Sequence, residues 1–149
     1  MLLGFIISER GILANPERIS AIIRMGLIQN MNGVQRVIGC LTVLSHFISR
    51  LDERGLPLYR LLKKADHFKW MSEGQESLDM IKQLLTKAPI LVPPINGEPF
   101  LLYIAATTQV VNVALVVERE EEGHALKVQC PVYFISEVLS DWKTCYPQI

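Results

Sequence analysis

Hydrophobic positions change their period along the chain, and each change marks a predicted element. In "LLGFIISERGILA" two short apolar runs flank the polar turn Ser8-Glu9-Arg10-Gly11, which predicts a β-hairpin with Gly11 at positive φ. "NPERISAIIRMG" carries helix punctuation: Asn15 to cap, Pro16 for the first helical position, Glu17 at the positive end, and Gly26 to close. Its apolar stripe is Ile19, Ile22 and Ile23. Val34, Val37, Ile38, Leu41, Leu44, Ile48 and Leu51 then recur at three- and four-residue steps, which predicts one long helix. Gly39 inside it costs roughly 1 kcal/mol relative to alanine, so close packing against a neighbour is expected there. A short amphipathic helix in "LPLYRLLKK" follows, then a longer one in "SEGQESLDMIKQLLTKAP", with Ser72 and Gln75 at capping-box spacing and Pro89 as the stop.

Four prolines in "APILVPPINGEP" predict an extended linker over 89–99. Beyond it the period falls to that of strands, in 100–106, 110–118 and 128–136, the last two joined by the charged loop "REEEGHALK". Three consecutive antiparallel strands have one face that needs cover. A helix starting near Tyr146 would supply it, so poor cover and an open sheet edge are expected without one. The whole reads as an α+β chain.

With 149 residues, half hydrophobic and a fifth charged, the chain has enough apolar surface for one ordinary domain or two small ones. The formal net charge of zero hides an asymmetry. Residues 1–70 hold ten Lys/Arg against five Asp/Glu, and residues 71–149 hold five against ten. Either one half meets a polyanion, or the halves pair with each other, or the split carries no meaning. Cys40, Cys130 and Cys145 are odd in number and widely spaced, which opposes a disulfide framework or zinc knuckle. "MLLGFIIS" lacks a basic leader and Val113–Val117 is too short to span a bilayer, so the expectation is an intracellular chain, cytoplasmic or nuclear if expressed, with no membrane partner.

Common catalytic motifs (HExxH, GxxxxGK[ST], GxSxG) are absent. His46, His67 and His124 are scattered and read as surface side chains; Glu118, Glu120, Glu121 and Glu122 read as a solvated loop before a metal site. The stretch from Arg50 to Lys69 holds Arg50, Arg54, Arg60, Lys63, Lys64 and Lys69 with Tyr59, Phe68 and Trp70 interleaved. Cations gain phosphate affinity by releasing counterions, and rings stack on bases. The alternative keeps Phe68 and Trp70 in the core and lets the charges solvate a helix.

Taken in order, "LLGFIISERGILANPERISAI", "VQRVIGCLTVLSHFISRL", "LPLYRLLKKADHFKW", "LLTKAPIL" and "EPFLLYIAAT" resemble the polyprotein of gypsy-type long-terminal-repeat retrotransposons, particularly those of plants. The matching segment runs from the end of the reverse transcriptase palm, through thumb and connection, into the RNase H-like domain. The resemblance implies a palm-end hairpin and thumb/connection-like helices over 1–88, the linker 89–99, and a partial RNase H-like three-stranded antiparallel sheet over 100–149. It places Leu3 and Gly4 in the hairpin that steadies the primer end. It implies nucleic-acid contact by Arg50, Arg54, Lys63 and Lys64, mainly to phosphates and with little sequence preference.

In that family the first RNase H strand commonly ends in a Tyr-x-Asp-Ala-Ser type pattern, with the aspartate on catalytic Mg²⁺. Here the aligned run is Tyr103-Ile104-Ala105-Ala106-Thr107, so Ala105 stands where the resemblance puts the aspartate. A methyl group is no ligand, and two-metal hydrolysis needs several hard oxygens. The other family carboxylates are expected after Ile149 and the palm aspartates before Met1. The expectation is therefore no catalytic residue, no metal site and no cofactor in this chain. Three functional readings follow: a non-catalytic polyprotein fragment that binds an RNA/DNA hybrid or DNA duplex; a non-catalytic part of a larger polymerase and ribonuclease H that works with other polyprotein segments; or a protein-interaction module acting through the exposed sheet face.

Overall fold

The computed structural model describes residues 5–63 and 68–139. Leu3, Gly4, Lys64 and the expected helix near Tyr146 lie outside the described residues. Strands β1 (Phe5–Ser8) and β2 (Gly11–Ala14) form the predicted hairpin, pairing Phe5 with Ala14 and Ser8 with Gly11. Gly11 sits at φ +134, and a Cβ there would collide with the Leu91 carbonyl oxygen. Glycine is required twice over, by backbone angle and by approach.

Helix α1 (Pro16–Ile23) starts as its punctuation predicts, with Asn15 Oδ1 accepting the Glu17 amide at 2.9 Å. It ends differently. Arg24, still right-handed, donates back to the last turn, Lys82 Nζ caps the Met25 carbonyl, and Gly26 plays no part in the stop.

The predicted long helix is a chain of three pieces: α2 (Met31–Leu44), a 3₁₀ turn (Ser45–Phe47) and α3 (Leu51–Arg54). Ile48 is extended and Arg50 is left-handed at φ 55. The break lets Leu44, Phe47, Ile48 and Leu51 all be buried, and their three- and four-residue spacing continues straight through it. Periodicity therefore could not reveal the turn. Gly39 corrects a second expectation: a Cβ there would meet open space, because it lies on the solvent side of α2, away from the Val34, Val37 and Leu41 stripe.

Helices α4 (Leu56–Lys63) and α5 (Ser72–Thr86) complete the helical body. The capping box is not formed, since Met71 is the N-cap and makes no side-chain bond. Gln75 instead accepts the Trp70 indole N–H at 3.1 Å and donates to Asp79 at 2.9 Å. The core runs from Ala14 to Leu91 through Ile22, Val37, Leu58 and Ile81. Each of the larger aliphatic side chains there contributes roughly 1.5–3 kcal/mol by leaving water.

The proline-rich stretch is extended, and near its start it is stitched to both the hairpin and the sheet. Leu91 exchanges two backbone bonds with Ile12, at 2.7 and 2.9 Å, and Val92 N–H donates to Pro131 at 2.9 Å. Strands β3 (Phe100–Ala106), β4 (Val110–Arg119) and β5 (Val128–Val138) then form an antiparallel meander in the order β3-β4-β5. A register shift between Leu115 and Val116 marks a bulge. On the helix-facing side Asn112 and Val110 are buried; on the other, Leu102 and Ile104 are 59% and 64% exposed. Among the described residues β3 pairs on one side only, and its Leu102 and Ile104 face is accessible, as expected from sequence. Among the described residues no helix is long and apolar enough to cross a membrane.

Candidate nucleic-acid interface

Arg50 is the one residue other than glycine at positive φ among the described residues. That backbone costs about 1–3 kcal/mol and persists only where its surroundings hold it. Here the hold is bidentate: Nε donates to Glu53 Oε2 at 2.8 Å and Nη2 to Glu53 Oε1 at 2.7 Å. The bond to Arg50 pulls the Glu53 carboxyl below its ordinary range and raises the guanidinium. Half of the Arg50 side chain faces solvent. Arg54, one turn on, shares its cleft, whose walls also carry Glu73 and Glu76 of α5.

Lys63 lies elsewhere. It borders a second cleft, between α4 and β5, together with Asp52, Tyr59 and Glu137. Arg60 is engaged across the joint, donating to Gln109 at 2.9 Å. The predicted cations thus divide between two clefts of mixed charge, and of the six predicted contact residues Leu3, Gly4 and Lys64 fall outside the described ones. The interleaved rings take the core alternative. Phe68 and Trp70 pack against the helical core, and the Tyr59 hydroxyl donates to Asp52 Oδ1 at 2.9 Å.

Between the helical body and the sheet runs a chain of polar bonds that sequence reasoning missed. The Asp52 amide donates to Ser136 Oγ at 2.9 Å; Ser136 Oγ donates to Asn112 Oδ1 at 2.8 Å; Asn112 Nδ2 donates to Glu53 Oε2 at 2.8 Å. Asn112 is 5% exposed, so its amide needs these partners. Burial raises the Asp52 carboxyl, against the opposing pull of its Tyr59 bond, and raises the Tyr59 hydroxyl well above its usual range. An Asn amid valines in a strand was the available signal. Its partner, Glu53, is 59 residues away.

Ala105 is exposed on β3, directly opposite Asn112, which in turn opposes Ser136 on β5. Asn112 and Ser136, the polar side chains in that row, are committed to Glu53 and to the Asp52 amide. Among the described residues no group of three or more His, Cys, Asp or Glu could hold a metal ion. Among the described residues the row that holds Ala105 contains no carboxylate, the ligand type that a two-metal site draws on. The acidic loop is exposed, with Glu121 3.7 Å from His124 and no third ligand. His46 stacks on Tyr133, with ring centroids 4.3 Å apart.

Three comparisons bear on identity. Residues 70–149 match the family described as "RNase H-like domain found in reverse transcriptase", so the match takes in α5 and the proline-rich crossing as well as the sheet. The Gag-Pol polyprotein of baboon endogenous virus is 31% identical over 102 residues, covering 68% of this chain and 6% of that protein. The transposon Tf2-3 polyprotein of Schizosaccharomyces pombe is 29% identical over 89 residues, covering 60% of this chain and 7% of its own length. This chain therefore spans a small fraction of the relatives it matches. In fold it resembles the foamy viral protease-reverse transcriptase in complex with dsDNA, with TM-score 0.73 and 21% identity over 99% of this chain and 30% of that one. The same viral protein in complex with an RNA/DNA hybrid gives TM-score 0.75 and 22% identity over 98% of this chain and 19% of that one. Together with the mixed helical and three-stranded architecture, these matches place the chain in the family of RNase H-like domains found in the reverse transcriptases of retroviral and retrotransposon polyproteins.

Proposed function

We propose that this chain is a non-catalytic segment of a gypsy-type retrotransposon polyprotein, of the plant type its motif order suggests. Its helical body contacts the phosphate backbone of an RNA/DNA hybrid or DNA duplex, and the aspartates that do chemistry belong to other segments of the polyprotein. The division at the proline-rich stretch, with thumb-like helices before residue 89 and the RNase H-like sheet from residue 100, is part of this reading. The observation that carries it is Ala105. The reading is supported by a strand end that lacks the family's carboxylate and lies, among the described residues, beside polar groups already engaged.

Backbone contact is supported by fold likeness to polymerases captured on duplexes and by the half-exposed guanidinium of Arg50. Because Glu73 and Glu76 line the same cleft, phosphates reach Arg50 and Arg54 from the rim. Affinity is accordingly modest and strongly salt-dependent. With two or three phosphates neutralised, the slope of log affinity against log salt is about −2 to −3. Fluorescence anisotropy of a labelled hybrid between 50 and 200 mM salt, on the order of the range where such slopes resolve, tests this. The same samples supplied with Mg²⁺ should show no cleavage. Magnesium-dependent cleavage by the purified chain would sink the non-catalytic reading.

A second reading has its own observation. Phe100, Leu102 and Ile104 form an apolar exposed row, 49%, 59% and 64% accessible, of the kind that receives a protein partner. Absence of duplex binding at low salt would favour it.

A further inference from the structure

We propose that Arg50 is a shared ligand: Glu53 holds it while the sheet is latched to the helical body, and a phosphodiester claims it by loosening that latch. The inference rests on the duplex-binding reading and adds a coupling between binding and the joint.

The argument is one of valence. The guanidinium of Arg50 spends its Nε and one Nη on the two Glu53 oxygens. A phosphate that takes the same fork must displace that carboxylate, because the geometry that suits one bidentate anion suits the other. Glu53 Oε2 is also the acceptor of Asn112 Nδ2, at 2.8 Å. From Asn112 the bonds run through Ser136 to the backbone amide of Asp52, and so bridge β4, β5 and α3. When Arg50 leaves, Glu53 loses the cation that fixes its position at the joint. The charged groups around Arg50 are Glu53 and Arg54 on its own segment and Glu73 and Glu76 across the cleft. Arg50 bonds to Glu53 and not to the carboxylates of α5, so Glu53 is the competitor that matters. The joint is suited to such a device. Among the described residues, none of the fifteen buried side chains in the main core comes from β3, β4 or β5, and Phe134 is the residue of that three-stranded sheet packed against them. A polar joint opens at lower cost than an apolar core.

Coupling is reciprocal, so each side can be read from the other. Glu53→Gln should tighten hybrid binding about two- to fivefold, the range set by releasing one partly exposed ion pair. Arg50→Gln should weaken it, and the double variant should be no tighter than Arg50→Gln alone. Saturating hybrid should speed hydrogen exchange at the Asp52 amide, whose partner is the Ser136 hydroxyl, and leave the Leu41 amide in α2 unchanged. Two results overturn the coupling while leaving duplex binding intact. One is Glu53→Gln tightening equally in the Arg50→Gln background, which marks general charge repulsion. The other is an Asp52 amide indifferent to bound hybrid. Absence of any binding at low salt removes both the coupling and the function on which it rests.

Discussion

The helical body and the sheet bury themselves by different means. The body closes a continuous apolar core from Ala14 to Leu91, with Ile22, Leu44, Leu58 and Ile81 fully inside. The sheet buries Val110, Val116 and Val117 outside that core and leaves Phe100, Leu102 and Ile104 of β3 accessible. Apolar burial is non-directional and tolerates small shifts, whereas the polar joint between the two depends on Asn112, Ser136, Asp52 and Glu53 meeting at hydrogen-bond distance. Stability is thus concentrated in the body, and orientation in the joint.

The largest expected effect tests the first half of that contrast. Leu41→Ala removes a side chain 1% exposed among packed helices and should cost about 2–5 kcal/mol. Leu102→Ala, made at a residue 59% exposed, should change stability by no more than about 0.5 kcal/mol. Urea unfolding followed by far-UV circular dichroism compares the two. Similar losses at both sites would mean that the sheet face is covered in solution.

Gly11→Ala comes next. The substitution asks alanine to adopt φ +134 and to overlap the Leu91 carbonyl, so a loss of about 1–3 kcal/mol is expected. The loss should be local, with faster hydrogen exchange at the Ile12 and Leu91 amides that bridge hairpin and linker. Uniform acceleration across α2 and α5 would show instead that the hairpin is integral to the core.

Sequence was most legible where a signal is local. The hairpin turn, the Asn15 cap and the three strands each follow from residues within a few positions of one another. It failed at the 3₁₀ turn because burial kept its helical spacing through the break, and at Gly39 because a solvent-facing glycine looks like a packed one in a linear pattern. The basic stretch was found as a composition. Its division between two clefts, and the capture of Arg50 by Glu53, depend on the turn at Arg50 and on Asn112 far along the chain. Long-range polar partners of this kind have no periodic signature. The methyl group at Ala105, by contrast, needed no structure to be seen.

The smallest expected effect concerns how the crossing is fastened to the sheet. Glu98 accepts from Arg119 Nε at 2.7 Å and Nη2 at 2.8 Å, and its Oε2 also receives the Ile95 amide at 3.0 Å. Arg119 also donates to the Pro93 carbonyl at 2.9 Å, so one guanidinium gathers the proline-rich stretch onto β4. The bond from Arg119 is the main reason that the Glu98 carboxyl is lowered to about 2, and the Ile95 amide is the second. A depressed carboxyl contributes stability above its unfolded value and loses it as pH falls toward the folded one. The contribution should therefore be complete above about pH 4.5 and fade between there and about 2. Glu98→Gln should remove that part of the pH dependence: it should lower stability above about pH 4.5 by the modest amount expected of a pair near the surface, and converge with the parent chain as pH falls toward about 2. Thermal melts of both chains from pH 7 to pH 2.5, on the order of the window just given, provide the comparison. Parallel acid profiles would mean that Arg119 holds the crossing through the Pro93 carbonyl alone, and that the sheet is fastened by backbone, with charge adding nothing.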